Sequence, residues 1–234
     1  MNEVSKFANA TIHCDGRDVT FHDCDPTDCI EAGLLRGEWY ELAMLELIRD
    51  LDVRGNYLDI GAYVGTFSVF AGLFCPADRV YSIEPQADIF KKLSKNIAEN
   101  GLAQGNACWA AVSDQFGWGS MSHFPSNRGG SHIVKKHCGP GGGCGVPIVT
   151  LDSLEFPDIK LAKIDVENGE LAVLRGGMNT LASVDHLFIE VWPLETCLKY
   201  GLPYTGGEVA DLLGALGFEH RFDLPGDNQY LKRT

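Results

Sequence analysis

The stretch Tyr57-Leu58-Asp59-Ile60-Gly61-Ala62-Tyr63-Val64-Gly65-Thr66-Phe67-Ser68 reads as a buried strand that runs into a glycine turn and then a helix. Turns of this kind are where open α/β sheets hold nucleotides. Gly61 and Gly65 let the backbone come close to a ligand, and the helix beginning near Val64 offers its first-turn N–H groups. The spacing is Gly-x-x-x-Gly. It lacks the three glycines of a dinucleotide site and the Lys-Ser/Thr of a phosphate-binding loop, so diphosphate cofactors lose ground. Downstream, Arg79-Val80-Tyr81-Ser82-Ile83-Glu84 reads as a second strand ending in a carboxylate, the group that accepts ribose hydroxyls at this point of a doubly wound sheet. Glycine turn and terminal Glu84 together point to a nucleoside.

Periodicity extends the pattern in both directions. Glu38 to Asp50 places Leu42, Leu45 and Ile48 on one stripe, an amphipathic helix just ahead of the first strand. Gln86 to Asn100 lines up Phe90, Leu93 and Ile97, with Gly101 where a left-handed cap belongs. Leu161 to Val166 reads as a central strand, which sets Asp165 and Glu167 at the edge where such sheets bind ligands. Glu190, in Phe188-Ile189-Glu190-Val191-Trp192, stands at another strand end. Thr205-Gly206-Gly207-Glu208 has capping-box spacing ahead of Val209, Leu212 and Leu213. Phe218 to Leu224 and Asn228 to Lys232, joined at Pro225-Gly226-Asp227, read as a closing hairpin. Residues 1–37 carry only short alternating pieces such as Val19-Thr20-Phe21-His22, a hairpin or lid ahead of a catalytic domain spanning 38–234.

The chain resembles class I S-adenosylmethionine-dependent methyltransferases. Lys163-Ile164-Asp165-Val166-Glu167-Asn168-Gly169-Glu170, continuing to Leu174-Arg175-Gly176-Gly177, is similar to the signature block of the FkbM family. Ile83-Glu84-Pro85, Ala110-Ala111-Val112-Ser113-Asp114 and Val149-Thr150-Leu151-Asp152-Ser153-Leu154 follow in the family's order, over residues 38 to 192. Tyr63 stands where the family usually has Asn, and Asn168-Gly169 replaces its usual Gly-Ala. The resemblance implies a Rossmann-like α/β fold with a seven-stranded, mostly parallel sheet, helices on both faces and a C-terminal antiparallel hairpin. It also implies S-adenosylmethionine held by Glu41, Asp59, Gly61, Tyr63, Gly65, Glu84, Pro85, Ala111 and Val112. Asp59 would lie near the methionine amine, and Trp39-Tyr40-Glu41 would close over the cofactor.

The resemblance further implies O-methylation of a small sugar, glycosylated or polyketide-like metabolite. A hydroxyl acceptor needs its proton removed during attack, and a carboxylate or His in reach can do that. Asp165 is the first candidate, followed by Glu167, Glu190 and His132; Lys163 is expected as an ion-pair partner of a neighbouring acid. Carboxyl or N-methylation is the rival chemistry. A silent nucleoside-binding module is the rival outside enzymes, and the intact acids Asp59, Glu84 and Asp165 count against it. Strand-end acids such as Asp165 and Glu190 suit Mg²⁺, although metal-free transfer is the expectation.

Composition narrows the rest. A chain of 234 residues, 45% hydrophobic, is long enough for one full core. Its net charge of −13, from 32 acidic and 19 basic residues, argues against nucleic acid as substrate, and Lys135-Lys136 is too small a patch to change that. There is no apolar run near ~18 residues and no secretory profile at Met1-Asn2-Glu3, so a cytoplasmic protein away from membranes is expected. Its eight cysteines are spread through the chain and read as reduced thiols; zinc at His13, Cys14, His22, Cys24 and Cys29, or at His137, Cys138 and Cys144, lacks any paired Cys-x-x-Cys. Residues 1–37, 115–147 and 193–205 would shape the acceptor pocket but carry no code for the acceptor. Oligomeric state is left open, with a homodimer as one outcome.

Overall fold

The computed structural model describes residues 7–102, 106–122, 127–134 and 145–234. Lys135-Lys136, His137, Cys138, the Gly139–Gly143 loop and Cys144 lie outside the described residues. An antiparallel hairpin comes first, β1 (Ala8–Cys14) and β2 (Arg17–Cys24), turned by Asp15 and Gly16 at positive φ. It buries Ala10, Ile12, Val19 and Phe21 against Val64, Val69 and Ile89, so this extension shares a core with the α/β fold that follows. Next is a helix that the alternation in residues 1–37 did not suggest, α1 (Cys29–Leu35). Asp28 starts it, its carboxylate accepting the Ile30 and Glu31 N–H groups.

The helix expected from Glu38 begins later, as α2 (Leu42–Asp50). Trp39 turns edge-on into Phe21, Phe70 and Phe74, and Glu41 takes left-handed backbone at φ 53, so these residues form a turn instead. Then β3 (Gly55–Ile60), α3 (Thr66–Phe74), β4 (Ala77–Glu84), α4 (Ala87–Glu99) and β5 (Ala107–Trp109) alternate. Gly101 ends α4 at φ 77, with the Leu102 N–H reaching back to the Ile97 carbonyl, the expected left-handed cap. A second, four-stranded sheet follows, formed by β6 (Ala111–Val112), β7 (Gly117–Met121), β8 (Ile133–Val134) and β9 (Val146–Val149).

The chain re-enters the main sheet at β10 (Ile159–Ile164) and continues through α5 (Glu170–Gly176), α6 (Met178–Leu181), β11 (His186–Glu190), α7 (Leu194–Tyr200) and α8 (Gly206–Ala215). It closes on β12 (Phe218–Asp223) and β13 (Asn228–Arg233). Thr205 begins α8 but makes no side-chain cap, and Glu208 pairs with Arg175 instead of closing the expected box.

The main sheet has seven strands in the order β12-β13-β11-β10-β3-β4-β5. β11, β10, β3, β4 and β5 pair in parallel, and β13 is antiparallel to both its neighbours, as expected for the closing hairpin. Both faces are buried, as a largely parallel sheet requires. Leu58, Ile60, Ala162, Ile164 and Leu187 pack with Val173, Leu174 and Leu213 of α5 and α8. Tyr57, Leu161 and Phe188 pack on the other face with Leu45, Ile48 and Phe70 of α2 and α3. By alternation, Asp59, Lys163 and Glu190 continue this second face toward the sheet's carboxyl edge. No helix among the described residues is long and apolar enough to cross a membrane.

At that edge the backbone of the glycine turn nearly touches the end of β10. A Cβ on Gly61 would lie 1.7 Å from the Asp165 carbonyl oxygen, and Gly61 sits at φ 86. Gly61→Ala is therefore expected to cost on the order of 3 kcal/mol, from left-handed strain plus displacement of the β10 end. A urea midpoint that falls at constant slope would show it, and an unshifted midpoint would refute the contact.

Candidate functional site

A cavity of about 600 Å³ opens along the carboxyl edge of β11, β10, β3 and β4. This is the place where open α/β sheets bind ligands, and the size suits a small molecule. Strand order sets out its acids in a row: Glu190 at the end of β11, Asp165 just after β10, Asp59 in β3 and Glu84 at the end of β4. Ile60, Phe67, Ile83 and Val112 supply apolar wall between them.

Glu84 is 3% exposed. Its carboxylate accepts the Tyr63 N–H at 3.0 Å on one oxygen and the Gln86 N–H at 2.7 Å on the other. Burial pushes this carboxyl up to about 7, against the two N–H donors that favour its ionised form. Tyr63 aims its N–H at Glu84 from left-handed backbone at φ 50. Pro85 and Ala111 complete this end, and Gln86 Oε1 and Ser131 Oγ are buried there without a hydrogen-bond partner.

Asp59 is fully buried, with Oδ2 accepting the Ser68 hydroxyl at 2.5 Å and Oδ1 lacking a partner. Burial raises it to about 6, opposed by Lys163 and Ser68. Lys163 stands beside it in register on β10 and donates to Asp165 Oδ2 at 2.7 Å. Burial works against the Lys163 charge, but the carboxylates of Asp165, Glu41 and Asp59 outweigh it and hold the ammonium well above the ordinary range.

Asp165, Glu167 and Glu190 each bring a carboxylate oxygen to within 4.8 Å of the others. Glu167 reaches the group from φ 58, followed by Asn168 at φ 69, whose amide donates to the Pro203 carbonyl at 3.0 Å. Glu190 accepts the Trp192 indole N–H at 3.1 Å. Burial, then the neighbouring acids, drive both glutamates upward, so each favours its protonated form over a wider pH range than a free glutamate. His132 also lines the cavity; burial lowers it, and its ring Nδ1 lies 3.1 Å from the Ser122 hydroxyl.

Two expected cofactor contacts sit elsewhere. Glu41 does not line the cavity, because its carboxylate takes the Asn228 amide at 2.7 Å and faces Lys163 from behind, whereas Tyr40 next to it does line the wall. Gly65 is also off the wall: it caps α3 at φ 92, where a Cβ would meet Leu93 at 2.8 Å. Gln86, Ser131, Trp192 and Tyr200 are wall residues that sequence reasoning missed. Gln86 and Trp192 had local signals, their places directly after Glu84-Pro85 and just past the strand-end Glu190; Ser131 and Tyr200 arrive from segments with no recognisable code. The N-terminal Cys/His residues do not gather as metal ligands, and the six cysteines among the described residues are free thiols.

A family model described as the methyltransferase FkbM domain matches residues 59–219. The chain belongs to the FkbM methyltransferase family. The match on this FkbM chain runs from Asp59 at the glycine turn past Glu190 into β12. Hexuronic acid methyltransferase AglP of Haloferax volcanii is 27% identical over 163 residues, which make up 67% of this chain and 63% of that protein. The chain thus spans less than two thirds of this relative. Among solved structures, a methyltransferase FkbM from Methylobacillus flagellatus KT is 15% identical with a TM-score of 0.49, covering 77% of this chain and 43% of that one. M. jannaschii TYW2 in complex with AdoMet is 11% identical with a TM-score of 0.47, covering 98% and 88%.

Retained protons at the acidic end carry a stability signature. An unfolded glutamate ionises near ~4.3, while folded Glu190 holds its proton to far higher pH. The unfolded chain therefore binds fewer protons than the folded one over this interval, and stability falls as pH rises through it. Glu190→Gln removes that slope. It is expected to match wild type near pH 5 and to melt a few degrees higher at pH 8, about 2–4 °C per kcal/mol for a chain of this size. Parallel melting curves across pH would refute the assignment.

Proposed function

We propose that the chain is an S-adenosylmethionine-dependent methyltransferase acting on a hydroxyl of a neutral, sugar-bearing small molecule. The observation that carries this reading is the row of acids along one cavity, from Glu84 past Asp59 to Asp165, Glu167 and Glu190. Each Glu84 oxygen accepts one N–H and keeps a further acceptor site, which suits ribose hydroxyls. The unpaired Asp59 Oδ1 suits the methionine ammonium, and Gln86 Oε1 adds an acceptor at the nucleoside end. Both are buried atoms that only a ligand or water could satisfy, so the residues present fit this cofactor.

When bound, S-adenosylmethionine supplies a methyl group already activated on a sulfonium, and the protein has to align the acceptor, exclude water and manage one proton. Asp165 Oδ1 is the oxygen not taken by Lys163, and it would receive the proton of the acceptor hydroxyl. Glu167 and Glu190, kept protonated by burial, would orient the acceptor by donating hydrogen bonds.

Charge favours a hydroxyl over a carboxylate. Lys163 is the one lysine or arginine among the described cavity residues, and it already faces Asp165, Glu41 and Asp59. An anionic acceptor would bring a further negative charge to this crowded end. The name of the AglP relative, a hexuronic acid methyltransferase, supports a sugar; the charge balance here moves the reading from a sugar's acid to its hydroxyl. Three convergent carboxylates suit Mg²⁺ in ligand type, but the Lys163 ammonium already occupies Asp165 Oδ2, which supports metal-free transfer.

Two variants separate the ends of the cavity. Glu84→Ala is expected to weaken S-adenosylhomocysteine binding by about 1.5–3 kcal/mol in a folded protein, read by calorimetric titration. Asp165→Asn is expected to slow methyl transfer about 10²–10⁴-fold at saturating cofactor while changing affinity far less, read with any active acceptor from a panel of neutral and uronic sugars. Wild-type affinity in the first variant or wild-type turnover in the second would overturn the corresponding role. Activity that is lost on chelation and restored by Mg²⁺ would overturn metal-free transfer.

A further inference from the structure

We infer that Glu31 on α1 and Lys92 on α4 are positioning residues for the nucleoside end of the cavity, acting through Tyr63. The inference rests on the nucleoside reading above. Tyr63 is held at both ends: its N–H donates to Glu84 Oε2 and its phenol hydroxyl donates to Glu31 Oε1, each at 3.0 Å. Glu31 is fully buried. Lys92 Nζ bonds both Glu31 oxygens, at 2.9 and 2.7 Å, and the Asp25 N–H adds a bond to Oε2 at 2.7 Å.

Left-handed backbone is an unusual conformation for a bulky aromatic residue, and something outside Tyr63 has to select it. The Glu31 bond does so from the far end of the ring. If the backbone at Tyr63 returned to negative φ, its N–H would swing away from Glu84 and leave that buried carboxylate with one donor fewer. α1 is itself anchored, because Asp28 caps it with one oxygen and takes the Arg128 N–H at 2.9 Å with the other. The N-terminal extension thereby becomes a working part of the cofactor site: Lys92 fixes Glu31, Glu31 fixes Tyr63, and Tyr63 fixes Glu84.

The test uses the preference of asparagine, which adopts left-handed backbone readily without an external tie. Calorimetric titration with S-adenosylhomocysteine is carried out on wild type, Tyr63→Phe, Glu31→Gln, Tyr63→Asn and the double variant, with melting temperatures alongside. Tyr63→Phe and Glu31→Gln are each expected to weaken binding about tenfold, the loss of one buried hydrogen bond to a charged group. In the Tyr63→Asn background, Glu31→Gln is expected to change affinity by less than about twofold while still lowering the melting temperature, since Asn at this position needs no tie. Equal loss of affinity in both backgrounds would assign Glu31 to general stability and overturn the inference. Should Glu31→Gln fail to fold, Tyr63→Phe decides, because it keeps the Glu31–Lys92 pair; unchanged affinity there overturns the inference. Wild-type protein that does not bind S-adenosylhomocysteine would sink the nucleoside reading and this inference together, whereas binding with an additive cycle would sink the inference alone.

Discussion

One buried ammonium, that of Lys163, is the charge on which the carboxyl edge of the sheet depends. Burying a cation costs several kcal/mol unless partners surround it, and here they come from three elements: Asp59 in β3, Asp165 past β10 and Glu41 at the start of α2. Glu41 in turn holds Asn228 at the start of β13, so the same charge reaches the closing hairpin. This arrangement needs the parallel register that sets Lys163 beside Asp59; a slip of one residue would turn Lys163 to the opposite, apolar face. It also explains the acidic end of the cavity. With its one lysine already engaged, that end disfavours ionising every carboxylate, and Glu167 and Glu190 are both pushed toward their protonated forms.

Backbone strain collects at the same edge. Glu41, Tyr63, Glu167 and Asn168 all have positive φ without being glycine, and each borders the cavity or the charges beneath it. The cost differs by residue. Asn168 occupies a conformation that asparagine tolerates, so Asn in place of the Gly usual to the family is physically reasonable there. Gly169 has ordinary backbone, and a Cβ on it would stand 3.2 Å from the Val166 carbonyl, close to what the family's usual Ala needs. Tyr63 is different, because an aromatic replaces the family's Asn at a left-handed position, and it is held there by the tie to Glu31, with the Asp28 carboxylate also facing its phenol.

What could be seen in the sequence followed from local physics. A buried strand, a glycine turn, an acid at the next strand end and an apolar helical stripe are each written within a dozen residues, and all of them stand in the structure. Glu41 could not be placed that way, because its partner Asn228 is 187 residues distant. The small sheet of β6, β7, β8 and β9 escaped notice because strands of two to five residues form only against a surface already present. α1 had a signal, Asp28 three residues before Glu31, but Glu31 is spent on Tyr63, Lys92 and the Asp25 N–H rather than on closing a box with Asp28.

Topology converts these separate signals into one site. Glu84, Asp59, Asp165 and Glu190 are scattered along the chain, yet the order β4-β3-β10-β11 brings them into line at one edge. The row is graded. Glu84 is braced by two backbone N–H donors, Asp59 has one oxygen bonded and one unpaired, Asp165 is paired with a lysine, and Glu190 is crowded by other acids. A carboxylate braced by fixed donors is suited to hold a hydroxyl-bearing ligand without moving. One crowded by its own kind is suited to hold or pass a proton, because small changes around it decide whether it is charged. The proposed division of the cavity into a binding end and a chemical end therefore rests on which strand each acid terminates and what that strand's neighbours place beside it.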